Sequence, residues 1–155
     1  MFRTIEAKVR ETKRTLKQLG YSSEPISPKE FSDYMTGETP TGDVITLDDV
    51  LRSEFFMVHE VVEICELKRM NVPIDKHTVM RFYPKVYEAH LTALDLELTY
   101  ALNKKDFDWF KRRFDNFLSQ LDDPYLPPEF GHLKKKLAPR CRSIVEKFSK
   151  RIPKT

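Results

Sequence analysis

The chain has 155 residues, with 27 Lys plus Arg against 24 Asp plus Glu, 40% hydrophobic residues and a net charge of +3. A chain of this length can bury close to ~70% of its unfolded surface without disulfides or a structural metal. Its apolar content excludes wholesale disorder, and no apolar run approaches the ~18 residues of a membrane span. Cys65 and Cys141 belong to no CxxC pair, so a reduced compartment is expected. The opening MFRTIEAKVRETKRTLKQLG lacks the apolar core and cleavage site of a signal peptide, and the expected location is cytoplasmic. Only three Asn and two Gln accompany 33% charged residues, a bias that leans towards a thermophilic source.

In chain order, Ile5, Val9, Leu16 and Leu19 recur among Lys and Arg over residues 3–19, and Gly20 stands where a left-handed cap would close an amphipathic helix. Residues 21–46 hold three Pro, two Gly and many Ser and Thr and read as a long loop. One short helix interrupts it, because Ser27-Pro28-Lys29-Glu30 has capping-box spacing and Phe31 and Met35 can anchor it. Thr46-Leu47-Asp48-Asp49 opens a helix expected to run from Leu47 to about Met70, stopped by Asn71 and Pro73. Asp75 caps a short stretch ahead of Pro84, and a helix over 84–102 follows. Asn103-Lys104-Lys105 forms a turn, and Asp106 caps a helix with Phe107, Phe110, Phe114, Phe117, Leu118 and Leu121 on its apolar face. DDPYLPPEFG at 122–131 reads as a proline-rich connection. Pro139 then separates a short piece, 132–137, from a last helix, 139–151, with Cys141, Ile144, Val145, Phe148 and Ile152 on one side. No strand is signalled. The expectation is a single all-α domain over 1–155, an antiparallel bundle of four to five main helices with a long N-terminal loop.

The 47–70 and 84–102 helices are apolar nearly all round, as central helices are. Their polar residues therefore carry the candidate site. Arg52, His59, Glu63 and Glu66 lie within about 60° of one another on one helix, and Glu88 and Asp95 lie a heptad apart on the next. If those flanks face each other, Glu63, Glu66, Glu88 and Asp95 form an oxygen-rich cluster suited to Mg²⁺ or Mn²⁺. Alternatively the charges form a solvated stripe of pairs worth a few tenths of a kcal/mol each.

Glu60-Val61-Val62-Glu63 resembles the ExxE pair of MazG-like all-α nucleotide pyrophosphohydrolases, a likeness that implies Mg²⁺-dependent phosphohydrolase chemistry. The companion ExxD pair does not follow, since Leu91 stands three residues after Glu88 and Thr92 three before Asp95. Arg52 and His59, six residues between them, are similar to the Arg–His phrase of HEPN domains, a spacing that eleven Arg and four His also reach by chance. No phosphate loop, dinucleotide fingerprint, HExxH or GxSxG is present.

Charge is unevenly spread: +4 over 1–20, −9 over 21–131 and +8 over 132–155. Lys134, Lys135, Lys136, Arg140, Arg142 and Lys147 make the last segment a candidate nucleic-acid surface, although no aromatic for base stacking accompanies them. With no motif joining nucleophile, base and phosphate cradle, the leading expectation is a noncatalytic binding or scaffold domain without a cofactor, engaging a protein partner or itself and no membrane. The alternatives are the Mg²⁺/Mn²⁺ phosphohydrolase and nucleic-acid binding.

Overall fold

Local capping signals set most of the helix boundaries. The computed structural model describes residues 2–39, 45–121 and 128–151, and these contain eight α-helices and no strand, which bears out the all-α class. They are α1 (Phe2–Gln18), α2 (Pro28–Thr36), α3 (Leu47–Leu51), α4 (Glu54–Arg69), α5 (Thr78–Arg81), α6 (Tyr83–Asn103), α7 (Phe107–Leu121) and α8 (Pro128–Ser149). The chain forms two compact units, Met1–Glu97 and Leu98–Thr155, and α6 crosses the division. The acidic residues concentrate in the first unit, 17 against 13 Lys and Arg, while the second holds 14 Lys and Arg against seven acidic residues.

In the first unit α1 lays Ile5, Val9, Thr12 and Leu16 against α4 and α2. Gly20 closes α1 at φ 81°, where Tyr21 N donates to Leu16 O at 2.9 Å, a left-handed cap that needs no Cβ. The expected loop over 21–46 is broken by the nine residues of α2, and Pro40 and Gly42 lie outside the described residues. The Ser27–Glu30 capping box is formed in both directions. Tyr34 joins Phe31 as the buried anchor, while Met35, expected in that role, is half-buried. Loop 21–27 is pinned to the end of α4: Lys68 donates to Pro25 O and Glu30, and Arg69 donates to Glu24, Tyr21 and the Ser22 carbonyl. Gly37 packs so closely on the 76–77 segment that an added Cβ would sit 2.4 Å from Lys76 O.

The single helix expected over 47–70 is divided. Arg52 ends α3, and Ser53, at φ −118° and ψ 117°, caps α4 by accepting from Phe56 N at 3.2 Å. A serine whose oxygen satisfies a free N–H can start a new helix at this point. Ten of the sixteen α4 residues are buried, which matches the all-round apolar character of the sequence. Asn71 ends α4 at φ 61°, with Val72 N donating to Leu67 O at 3.0 Å.

In the second unit Lys105 is left-handed at φ 60°, and Asp106 Oδ1 accepts from Trp109 N at 3.0 Å to cap α7. Phe110, Phe114 and Phe117 are buried, but Phe107, expected on the same face, is exposed: it opens the first turn, where the apolar contacts of α7 have not begun. Phe148 of α8 packs on Phe110 and Phe114 with ring centroids 5.8 and 6.2 Å away. Leu121 borders the Lys135–Glu146 stretch, so α7 and α8 run antiparallel. Pro139 does not split α8 as expected. Its ring is exposed, as is Lys135 one turn earlier, so the carbonyl that loses its donor lies on the solvent side. Residues 128–131, expected within a connection, are the first turn of α8, while 122–127 and Ile152 lie outside the described residues.

Candidate metal centre

His59 and Glu63 stand one turn apart on α4, where the helical period places both side chains on one face. That face meets His90 and Glu97, two turns apart on α6. His59 lies between the pair. Its Nδ1 is 2.8 Å from Glu97 Oε1, and its Nε2 is 3.0 Å from His90 Nδ1 and 3.1 Å from Glu63 Oε2. His90 Nδ1 and Glu63 Oε2 are 3.5 Å apart and close the triangle. The other carboxylate oxygen of Glu63, Oε1, accepts a hydrogen bond from the buried Tyr34 hydroxyl of α2. His59, Glu63 and Glu97 are buried, whereas His90 keeps 29% of its side-chain surface exposed, so the cluster meets solvent on the His90 side.

Electrostatics tie these groups together. Burial by itself disfavours a charged His59, but hydrogen bonds to Glu63 and Glu97 outweigh it and push the imidazole pKa up to about 10. For Glu63 burial likewise favours the neutral acid, and the contacts with His59 and His90 reverse that, holding the carboxyl below its ordinary range. Burial and the charges of Glu63 and Glu60 push the Tyr34 phenol well above its ordinary value, so it remains a donor.

The triangle approaches the size of a coordination face, with two edges of hydrogen-bond length roughly 0.2–0.3 Å short of the tetrahedral spacing. Zn²⁺ bonds of about 2.0–2.2 Å in tetrahedral geometry hold neighbouring ligand atoms roughly 3.3–3.5 Å apart, and the observed edges are 3.0, 3.1 and 3.5 Å. Both supporting contacts of a metal site are in place. Glu97 Oε1 lies against the remote nitrogen of His59, so an imidazole that kept its Nδ1–H towards Glu97 and lost the other proton would present Nε2 to an ion, and Tyr34 donates to Glu63. Among the described residues, His59, Glu63 and His90 form the group whose ligand atoms lie close enough to share one ion.

Of the four carboxylates singled out in the sequence, Glu63 alone enters this group. Glu66 accepts from Tyr21 OH at 2.7 Å and from Arg69 at 2.6 Å on the outer flank of α4. Glu88 and Asp95 are half-buried on α6, each with partners of its own. Arg52, in the break before α4, is exposed and shares no helix face with His59. Of the basic residues of α8, Lys135, Lys136, Arg142 and Lys147 are exposed and Arg140 is half-buried, while the Lys134 side chain lies outside the described residues. Lys147 places its ammonium 5.1 Å from the Phe148 ring centre, and Lys135 and Arg142 border an apolar cavity with Leu121, Cys141 and Val145. No helix among the described residues is long and apolar enough to cross a membrane. No protein-family model, curated protein or solved structure matches the chain.

Proposed function

We propose that the protein is a metal-dependent hydrolase of the zinc type, with one divalent transition metal held by His59 Nε2, Glu63 Oε2 and His90 Nδ1. The observation that carries this reading is the triangle of three ligand atoms, 3.0–3.5 Å on a side, with Glu97 behind His59 and Tyr34 behind Glu63. Two imidazoles and one carboxylate favour Zn²⁺ or another N/O-binding transition metal over Mg²⁺.

Three protein ligands with a solvent-facing fourth position suit catalysis, whereas structural zinc is closed by four. Such an ion, when bound, would lower the pKa of a coordinated water to near ~7 and so supply a nucleophile for an ester or phosphoester. The sequence favours a noncatalytic binding domain, for want of a motif joining nucleophile, base and phosphate cradle, over a Mg²⁺/Mn²⁺ phosphohydrolase, and the buried His–Glu cluster is what favours chemistry instead.

The test is isothermal titration of chelator-treated protein with Zn²⁺, followed by hydrolysis of p-nitrophenyl acetate and bis(p-nitrophenyl) phosphate with and without the metal. One Zn²⁺ per chain, lost in His90→Ala, with metal-dependent turnover of either substrate is expected. Zn²⁺ uptake unchanged in His90→Ala would overturn the site, and uptake without turnover of either substrate would overturn the hydrolase reading.

A further inference from the structure

From the contact between α2 and α4 we infer that Tyr34 is the positioning residue that limits Glu63 to one metal bond and so makes the site selective for four-coordinate metals. The inference rests on the metal centre proposed above and adds a specificity-determining role for a residue outside the ligand set.

The argument begins with the two oxygens of Glu63. Oε2 faces His59 and His90, and Oε1 accepts from the Tyr34 hydroxyl on the opposite side. A phenol with an ordinary pKa near ~10 is a hydrogen-bond donor throughout the neutral range. For Oε1 to reach the metal as well, the carboxylate must rotate away from Tyr34 and strand a buried hydroxyl, at a cost of roughly 1–3 kcal/mol. Tyr34 is only 5% exposed, so water has little access to replace the lost partner. Its position is fixed by the helix that carries it. The Ser27–Glu30 box sets the start of α2, Phe31 is buried one turn before Tyr34, and the Gly37–Lys76 approach holds the other end.

The consequence lies in coordination number. With Glu63 monodentate, the protein gives three atoms and solvent gives the rest from the His90 side. Zn²⁺ and Co²⁺ accept four ligands readily, whereas Mn²⁺ and Mg²⁺ prefer six, mostly oxygen. Freeing Oε1 adds an oxygen ligand and removes the orientation of Oε2, changes that favour Mn²⁺ and disfavour Zn²⁺. Outer contacts of this kind typically alter metal affinity ~10–100-fold.

The experiment uses the full chain, with Co²⁺ as a spectroscopic probe and competition titrations for Zn²⁺ and Mn²⁺. Wild type is expected to give the intense visible absorption of four-coordinate Co²⁺. Tyr34→Phe, which keeps the ring and removes the hydroxyl, is expected to give the weaker absorption of five-coordinate Co²⁺ and a Zn²⁺-to-Mn²⁺ affinity ratio lowered about tenfold or more. An unchanged spectrum and ratio in Tyr34→Phe would overturn the role of Tyr34 while leaving the metal centre standing. A weak, higher-coordinate spectrum in wild type would overturn it even if the variant did not fold. Failure of wild type to take up Co²⁺ or Zn²⁺ would overturn the metal centre itself.

Discussion

Without metal, the protein should lose stability as the pH rises from about 6.5 to about 10, and His59 should account for the loss. Its imidazole ionises near its ordinary 6.5 when unfolded and near about 10 between Glu63 and Glu97. Below pH 6.5 both states are protonated and the stabilisation is complete. As the pH climbs through 10 the folded imidazole also loses its proton and the stabilisation disappears. The difference corresponds to a few kcal/mol, at ~1.4 kcal/mol per pKa unit, a large share of the ~5–15 kcal/mol typical of a whole domain. Glu63 behaves in the opposite sense. Its depressed pKa stabilises above the ordinary 4.5, and that contribution is lost as the pH falls. These two groups together therefore favour the window between about 4.5 and 6.5. The assay is urea unfolding of chelator-treated wild type and His59→Gln at several values between pH 5 and 10. His59→Gln should be the less stable by ~3–5 kcal/mol near pH 6, because two buried carboxylates lose their cation, and the gap should close towards pH 10. A gap independent of pH would refute the reasoning. Zn²⁺ at the proposed site should reverse the trend, since it would require neutral His59 and metal affinity rises with pH.

Gly37→Ala should cost roughly 1–3 kcal/mol in urea unfolding, because its Cβ meets the Lys76 backbone rather than a side chain that can move away. Ser53→Ala should cost about 1 kcal/mol as the loss of an N-cap. Were 47–70 one continuous helix, the same change would stabilise it, so the sign in thermal unfolding decides the matter. Phe148→Ala should cost ~3–5 kcal/mol by removing the ring packed on Phe110 and Phe114, measured by urea unfolding.

The all-α class, the Ser27–Glu30 capping box, the helix start at Thr46, the left-handed stop at Gly20 and the turn before Asp106 were legible because each rests on a local signal. The break at Ser53 was signalled too, but the helical spacing of Leu47, Leu51 and Phe55 continues across it and masked the cap. The site was half legible. His59 and Glu63 stood out on α4, while on α6, apolar nearly all round, Tyr87, Leu91, Leu94, Leu98 and Leu102 make the most hydrophobic face. Its buried arc is in fact completed by Val86, Ala89, Ala93 and Ala101, which moves the centre of the face by about 80° on a helical wheel of 100° per residue. That shift puts His90 and Glu97 at the middle of the buried face and Glu88 and Asp95 on the far side. Small residues mark where helices approach closely, and Leu outweighs them when faces are judged by hydrophobicity alone. The Tyr34 contact joins residues 29 apart in sequence, and no local pattern announces it.

Anomalous diffraction at the zinc edge, from crystals of the full chain grown with one equivalent of Zn²⁺, tests the central claim most directly. One peak is expected about 2.0–2.2 Å from His59 Nε2, Glu63 Oε2 and His90 Nδ1, with Glu97 still on His59 Nδ1 and Tyr34 still on Glu63 Oε1. A zinc ion bound elsewhere, with His59 retaining its contacts to Glu63 and His90 and no density between them, would contradict the account.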